Sequence, residues 1–435
     1  MPPRTQPTRR AALAGSAALV LALTAAPAAA APHDPGTYGS LINGALVLVG
    51  GGLKADNTQV YGEIIKRAGG PKARIGILTA ASVPASQDPD AADPGACSNS
   101  ECNGAYYADL FKHHGAADAQ WIPVDLDHLS NADSESVVAQ VNSMTGFFFG
   151  GGDQYRYVTT LLHGDRHTDS KVLAAIRAKL AAGAVVSGSS AGAQIAAGAD
   201  MITGGDSYQA LRDGSTPGYF EDPTRLGYLP KGGFGFLRSG LIDTHTGTNG
   251  REGRALRLAA DTGHDIVYAL DENTALVVDN PGTSKERLTV RGPQGVTVLD
   301  LRHARARARS TSATWSLTGA GYSYLTDGDR YDARTHLPIP GPGKSPLFPT
   351  ATTPVPANAD AFYSVENPSG IPYSLRTTAR ALLGTRTQRT ATATTYETGP
   401  RFTVTITKSP WTLAWTGDRS TAQTVLGAGI DISAG

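Results

Sequence analysis

The feature that most constrains this chain is the segment AVVSGSSAGA at residues 184–193. Its first residues are small or β-branched and predict a buried strand, and a helix is expected over residues 194–199. Between them, the pattern G-x-S-x-G at residues 188–192 predicts a nucleophile elbow, a strained turn whose flanks only glycine fits. We expect Ser190 to stand at the carboxyl end of a sheet, where a helix N-terminus favours a developing oxyanion. The alternative is a turn rich in glycine, serine and alanine that carries no chemistry.

Strand and helix patterns alternate on the amino-terminal side of this segment. The apolar run Ala45–Val49 ends in three glycines, a helix is expected over residues 58–68, and residues 74–79 predict the next strand. This order predicts a parallel crossover and hence an α/β fold. The spacing G-x-G-x-x-G is missing, which argues against a dinucleotide site. A long polar loop is expected over residues 81–103, before a helix at 106–114.

Three polar side chains follow three separate predicted strands. They are Ser190, His245 after the strand at residues 241–245, and Glu272 after the strand at residues 266–270. A serine nucleophile needs a base within hydrogen-bond reach, and the base needs an acid that orients it. The order serine, histidine, glutamate differs from the order in α/β-hydrolases. Taken singly, His245 could be an ordinary strand-end histidine, and Glu272 a helix cap or a salt-bridge partner.

The amino terminus has the pattern of an export signal. Arg9-Arg10 precedes an apolar run at residues 11–24, and the alanines at 28–31 offer an A-x-A cleavage site. The surroundings of the two arginines resemble a twin-arginine signal, and an ordinary secretion signal is the alternative. No later apolar run is long enough to span a bilayer, so we expect a secreted, soluble protein. In an exported protein, Cys97 and Cys102 are expected to form a small-loop disulfide.

Composition and patterning suggest how the chain is divided. The 38 basic and 38 acidic residues balance, which argues against a nucleic-acid binder. We predict an export signal at 1–31, an α/β domain at 32–305, a connector at 306–356 and a mainly-β region at 357–435 with a short helix near 375–383. Residues 296–300 are expected to close the α/β domain. The arginine-rich stretch 302–309 is expected to be an exposed strand or linker rather than a site for an anionic polymer.

Several segments, in this order along the chain, resemble the cyanophycinase and dipeptidase E family of serine peptidases. They are residues 150–154 (GGGDQ), 188–193 (GSSAGA), 243–245 (DTH), 250–254 (GREGR) and 271–275 (DENTA). The resemblance covers residues 45–300 and implies a flavodoxin-like or class I glutamine-amidotransferase-like fold with a parallel sheet. It implies Ser190 as nucleophile, His245 as base and Glu272 as acid, with no metal or cofactor. It also implies an oxyanion hole from the backbone N–H groups of Gly151, Gly152 and Ala191.

The resemblance also indicates a substrate class. Cyanophycinases release β-aspartyl-arginine dipeptides, and dipeptidase E cuts after an amino-terminal aspartate. The expected binding residues are Gln154, Asp243, Thr244, Arg251 and Arg254. The two arginines would hold a substrate carboxylate, unless they line an exposed helix face together with Glu252.

Two departures from the family pattern bear on the substrate. Thr244 stands where cyanophycinases usually have glutamine, and Thr246 where they usually have an aromatic residue, which predicts an altered pocket. The family implies a homodimer. An α-aspartyl dipeptidase, an esterase with the same elbow and a non-catalytic exported binding protein remain alternatives.

Overall fold

The structure is a computed structural model that describes residues 43–308, 314–417 and 423–434. These residues belong to one compact unit, which spans His33–Gly435. The predicted export signal at residues 1–31 lies outside the described residues. Within those ranges no helix combines the length and the apolar character that crossing a membrane requires.

The regular elements follow the alternation expected from the sequence. The principal strands are β1 Ala45–Val49, β2 Arg74–Leu78, β3 Asp118–Trp121, β4 Gly146–Phe149, β5 Val185–Ser189, β6 Leu241–Asp243, β7 Ile266–Leu270, β8 Ala275–Asp279, β9 Arg287–Arg291, β10 Gly295–Asp300, β11 Ser316–Thr326, β12 Arg330–Asp332, β13 Leu337–Ile339, β14 Thr390–Thr394, β15 Phe402–Thr407, β16 Leu413–Thr416 and β17 Thr424–Ala434. The shorter strands are Leu162–His163, Thr168–Asp169, Met201–Ile202, Thr216–Pro217, Gly227–Leu229, Arg305–Arg307 and Ser345–Pro346. The α-helices are α1 Thr58–Arg67, α2 Ser100–His113, α3 Glu135–Ser143, α4 Gln154–Leu161, α5 Lys171–Ala181, α6 Ala191–Gln194, α7 Ser207–Asp213, α8 Glu252–Thr262 and α9 Ser374–Gly384.

The first sheet has the order β13-β12-β9-β8-β1-β5-β4-β2-β3. The five strands from β1 to β3 in this order are parallel, and β8 pairs with β1 in the antiparallel sense. The predicted α/β fold with a parallel sheet is therefore confirmed. The nucleophile-elbow segment lies in its centre, because β5 is paired with β1 on one side and with β4 on the other.

A second sheet has the order β6-β7-β10-β11-β17-β15-β14 and is antiparallel except for the pair β6–β7. The carboxy-terminal region is mainly β with one helix, α9, as predicted. The expectation that residues 296–300 close the α/β domain is wrong. That strand, β10, is an interior strand, because β11 pairs along its whole length. The predicted domain boundaries stay predictions.

The buried side chains form layers on both faces of each sheet. Leu46 and Leu48 of β1 point into one cluster, while Val47 and Val49 point into another, as the alternation of a strand requires. The second cluster covers β1 with α1 and α2. The first cluster also contains Tyr268 of β7 and thus joins the two sheets. This shared core explains how the ends of strands from different sheets come to lie together.

Two local predictions change in detail. Helix α2 begins at Ser100 rather than at 106, because the Asn99 side chain caps it by accepting a hydrogen bond from the Cys102 N–H at 3.0 Å. The helix expected over 194–199 is wrong, because α6 ends at Gln194 after a single turn. The predicted disulfide is confirmed, because Cys97 and Cys102 are bonded.

Candidate active site

Ser190 lies in a sharp turn between β5 and α6. Its backbone has φ 56° and ψ −119°, a conformation that residues other than glycine rarely adopt. The flanking glycines allow this turn: a side chain on Gly188 would collide with the Gly192 carbonyl, and one on Gly192 with the Phe149 carbonyl. The Ser190 N–H donates to the Val49 carbonyl oxygen at 3.0 Å and ties the turn to β1. The predicted elbow geometry is therefore present, with Ser190 partly exposed.

His245 and Glu272 complete a chain of hydrogen bonds that starts at Ser190. The Ser190 Oγ and the His245 Nε2 are 2.7 Å apart. The His245 Nδ1 is 2.7 Å from the Glu272 Oε1. His245 and Glu272 follow β6 and β7 of the second sheet, whereas Ser190 follows β5 of the first. The structure thus brings together all three residues that the sequence singled out.

The three glycines at residues 50–52, which follow β1, hold this arrangement. The Gly50 carbonyl accepts a hydrogen bond from the His245 N–H at 2.7 Å, and a side chain on Gly51 would collide with the imidazole. A side chain on Gly52 would lie 2.9 Å from the Glu272 Oε2. Three glycines at the end of an apolar strand, repeated at residues 150–152, were the signal in the sequence. Such glycines let backbone pack directly against functional side chains.

The predicted oxyanion-hole residues lie on two sides of Ser190. A side chain built on Gly151 would lie 3.4 Å from the Ser190 Cβ, so this glycine keeps the approach to the serine open. Ala191 is the first residue of α6, so its N–H has no acceptor within the helix. A side chain built on Gly152 would collide with the Ala81 backbone, so this glycine packs against Ala81. Gly151 and Ala191 thus lie next to Ser190, and the oxyanion hole expected from Gly151, Gly152 and Ala191 stays a prediction.

Asp243 and Arg254 pair with each other inside the protein. The Arg254 guanidinium donates to both carboxylate oxygens of Asp243, at 2.9 and 2.6 Å, and to the Gly205 carbonyl at 2.8 Å. Their side chains are 0% and 5% exposed, respectively. Neither charge therefore faces a substrate, and the two residues expected to bind substrate instead hold β6 and α8 together.

We expect Asp243→Ala to lower the free energy of unfolding by roughly 3–5 kcal/mol, because it leaves the Arg254 charge buried and unpaired. Urea denaturation followed by circular dichroism measures this. The control Lys171→Ala breaks the exposed pair with Glu135 and should change stability little. The double variant Asp243→Leu with Arg254→Met should recover stability relative to Asp243→Ala. An Asp243→Ala protein as stable as the control would contradict the structural role.

Arg251 differs from Arg254 in its polar contacts. Its Nη1 donates to the Thr244 carbonyl at 2.9 Å, and within the described ranges it forms no salt bridge. Burial and the nearby Arg254 lower the pKa of Arg251 to about 10, so it remains cationic at neutral pH. Burial lowers the pKa of His245, and Arg251 lowers it further, although the hydrogen bond that His245 donates to Glu272 opposes this. His245 is therefore neutral at pH 7 and able to accept a proton.

The remaining predicted binding residues are held by the fold. The Gln154 side-chain amide donates to the Ile202 carbonyl at 2.8 Å, and Asp153 caps α4. Thr244 and Thr246 are buried, at 4% and 0% exposure. The two departures from the family pattern therefore lie at buried positions on either side of His245. Within residues 43–308, 314–417 and 423–434, no three His, Cys, Asp or Glu side chains gather in a group that could hold a metal ion.

Comparisons with known proteins identify what the chain is similar to. A sequence model described as Peptidase family S51 matches residues 94–285, a span that contains Ser190, His245 and Glu272. A cyanophycinase from Synechococcus elongatus is 27% identical over 298 residues, covering 67% of this chain and 80% of that protein. A cyanophycinase from Nostoc sp. is 27% identical over 301 residues, covering 67% and 87%. A crystal structure of a peptidase from an acI-B1 Actinobacterium has a TM-score of 0.41 and 21% identity, covering 60% of this chain and 91% of that one.

Proposed function

Because the chain belongs to peptidase family S51, the cyanophycinase and dipeptidase E family of serine peptidases, we propose that Ser190, His245 and Glu272 are its catalytic triad. The observation that carries the proposal is the unbroken hydrogen-bond chain from the Ser190 Oγ through His245 to Glu272, with both distances at 2.7 Å. These are distances at which a proton can pass directly from serine to imidazole.

The first half of the reaction forms an acyl-enzyme. The Ser190 Oγ attacks the carbonyl carbon of the scissile bond, and its proton moves to the His245 Nε2. Glu272 accepts a hydrogen bond from the Nδ1–H and stabilises the imidazolium. The backbone N–H groups of Gly151 and Ala191 face the oxyanion of the tetrahedral intermediate. His245 then gives its proton to the leaving amine as the C–N bond breaks.

The second half of the reaction releases the acyl group. Water replaces the amine, and His245 takes a proton from it as the oxygen attacks the ester carbonyl. Collapse of the second tetrahedral intermediate breaks the bond to the Ser190 Oγ, which regains a proton from His245. The products are a carboxylic acid and the free amine, and the enzyme returns to its starting state.

For the substrate, we propose a peptide in which an aspartyl residue supplies the scissile carbonyl, with β-aspartyl-arginine bonds as the first choice. Arg251 supports this, because it is a cation close to His245 that forms no salt bridge with any residue the structure describes. A guanidinium binds a carboxylate through two hydrogen bonds. The relatives to which the chain is similar are named cyanophycinases, which also favours this choice. An α-aspartyl dipeptide presents the same carboxylate and is the second choice.

Product analysis by mass spectrometry tests this function. The wild type and Ser190→Ala would each be incubated with cyanophycin, with isoAsp-X and Asp-X dipeptides, and with a simple ester. Release of β-Asp-Arg by the wild type alone supports the first choice, and cleavage of Asp-X alone supports the second. Cleavage of the ester alone points to an esterase. Absence of any Ser190-dependent product from the folded protein would contradict the proposal and favour a binding protein.

We also propose that the protein is exported. Arg9-Arg10 with the apolar run behind it supports this, as does the disulfide between Cys97 and Cys102, because such bonds persist in oxidising compartments. In a bacterial host, mass spectrometry of the exported protein should place its amino terminus near residue 32. Replacing Arg9 and Arg10 by lysine should block export if the twin-arginine route is used. Retention of the full-length chain in the cytoplasm of the wild type would contradict export.

The pH dependence of hydrolysis should reflect the lowered pKa of His245. Only the neutral imidazole accepts the serine proton, so kcat/KM should be constant above the pKa and fall as pH drops through it. Because burial and Arg251 lower this pKa, the midpoint of the fall should lie below 6.5, the ordinary value of histidine. Initial rates between pH 4.5 and 9 measure it. A midpoint above 6.5 would mean that Glu272 raises the pKa of His245 by more than burial and Arg251 lower it.

Arg251→Met should weaken binding of acidic substrates and change the same pH profile. Loss of a charge-assisted contact should raise KM by about 10-fold to 100-fold. The pKa of His245 should rise, because a positive charge near the imidazole is removed. The matched control is Arg386→Met, since Arg386 is exposed just after the end of α9. An unchanged KM would exclude Arg251 from substrate binding.

A further inference from the structure

The carboxy-terminal region contacts the loop that carries His245 through the start of α9. The Tyr373 N–H donates to the Gly247 carbonyl at 2.7 Å, and the Tyr373 hydroxyl is 3.0 Å from the Thr248 Oγ1. A side chain on Gly247 would collide with the Tyr373 ring. Tyr373 has φ 63°, a conformation that a tyrosine adopts only when its surroundings impose it. The His245 loop is thus fitted closely against Tyr373.

Arg376, one turn further along α9, connects Tyr373 to the protein interior. Its guanidinium carbon lies 3.8 Å from the centre of the Tyr373 ring, a cation–π contact that orients both side chains. Its Nη1 donates to the Tyr324 hydroxyl at 2.8 Å and to the Gln294 Oε1 at 2.8 Å. The guanidinium is also 3.6 Å from the Asp271 carboxylate. Arg376 therefore touches both the first turn of α9 and the turn that carries Glu272.

Asp271 is the point where these contacts meet. One of its carboxylate oxygens accepts a hydrogen bond from the Gly247 N–H at 2.9 Å, and the other accepts one from the Tyr324 hydroxyl at 2.6 Å. Asp271 is 1% exposed and directly precedes Glu272. Burial raises the pKa of Asp271, whereas Tyr324 and Arg376 favour its charged form. A single buried carboxylate thus links the His245 loop to the turn of the proposed acid.

We propose that Tyr373 and Arg376 are positioning residues of the active site, supplied by a region outside residues 94–285, where the family model matches. The inference rests on the proposed function, since it concerns the geometry of the triad. Tyr373 supports the His245 loop directly, and Arg376 holds Asp271 in place through Tyr324 and its own charge. Neither residue forms a hydrogen bond with Ser190, His245 or Glu272. They act by keeping the His245 Nδ1 and the Glu272 Oε1 at their hydrogen-bond distance of 2.7 Å.

The inference can be tested without knowing the natural substrate. Diisopropyl fluorophosphate is a small reagent that phosphorylates an activated serine: the Ser190 Oγ bonds to phosphorus, fluoride leaves, and His245 takes the proton. The rate of this reaction therefore measures how well the triad is aligned. The limiting rate and the apparent dissociation constant of the reagent would be measured for wild type, Arg376→Ala, Arg376→Lys and Tyr324→Phe. The control Arg386→Ala removes an exposed arginine from the region just after α9.

We expect Arg376→Ala to lower the limiting rate by about 10-fold to 100-fold and to leave the dissociation constant of the reagent unchanged. A loss of this size is expected when catalytic side chains are displaced by about 1 Å. Arg376→Lys should restore part of the rate, because an ammonium can still reach Tyr324. Tyr324→Phe removes only the hydroxyl that joins Arg376 to Asp271, and it should also slow the reaction. If Arg376→Ala fails to fold, this variant tests the network in its place. Arg386→Ala should react like the wild type.

Two results would overturn the inference. Wild-type rates in both Arg376→Ala and Tyr324→Phe would show that the network does not align the triad. An equal loss in Arg386→Ala would indicate a general effect of charge on the reagent. Failure of the proposed function looks different: either the wild type does not react, or Ser190→Ala reacts as fast, and the positioning inference then falls with it.

Discussion

Ser190→Ala is expected to reduce peptide hydrolysis by roughly 10⁴-fold or more, because the acyl-enzyme cannot form without the hydroxyl. The substitution removes one atom and leaves the Ser190 N–H bonded to the Val49 carbonyl. The fold and thermal stability should therefore stay close to those of the wild type. The measurement is kcat on the best substrate from product analysis, together with mass spectrometry of the protein after reaction with a fluorophosphate.

The matched control for this prediction is Ser143→Ala. Ser143 is an exposed serine at the end of α3, and its hydroxyl donates only to the Gln140 carbonyl of the same helix. This variant should keep wild-type kcat and become labelled at Ser190. If Ser190→Ala were folded and still hydrolysed substrate at a tenth of the wild-type rate, another nucleophile would be at work.

Glu272→Gln is expected to lower kcat by about 10³-fold to 10⁴-fold while leaving the fold intact. The Glu272 Oε1 faces the His245 Nδ1 at 2.7 Å, which favours the tautomer with the proton on Nδ1 and a lone pair on Nε2 facing the serine. A glutamine amide can present its N–H₂ to Nδ1 and favour the opposite tautomer. It also fails to stabilise the imidazolium that forms during attack. Steady-state kinetics and the rate of fluorophosphate labelling both measure the loss.

A carboxylate-to-amide change elsewhere provides the control. Glu101 is exposed in the first turn of α2, so Glu101→Gln should behave as the wild type. KM should change little in Glu272→Gln, because Glu272 acts on His245 rather than on substrate. A loss of less than 10-fold would mean that Glu272 does not orient the base, and Ser190 with His245 would then suffice.

Much of the fold was predictable because its signals are local. Continuous apolar runs such as Ala45–Val49 are buried on both faces, so their composition alone predicts central strands. The turn at Ser190 was predictable because two glycines must flank a backbone that passes so close to its neighbours. The cysteine pair was predictable because the chain has two cysteines, five positions apart, behind a predicted export signal. By contrast, the length of α6 was not, since nothing in its small residues marks where the helix ends.

The sequence by itself determined which residue types stand at the ends of the strands, including Ser190, His245 and Glu272. Only the tertiary structure decided how they meet, because His245 and Glu272 follow strands of a second sheet that packs on the first. It also decided which arginine is paired: Arg254 is joined to Asp243, whereas Arg251 has no carboxylate partner in the described residues. Strand patterns and turns depend on neighbours along the chain, whereas charge pairing depends on groups far apart in sequence that share a desolvated interior.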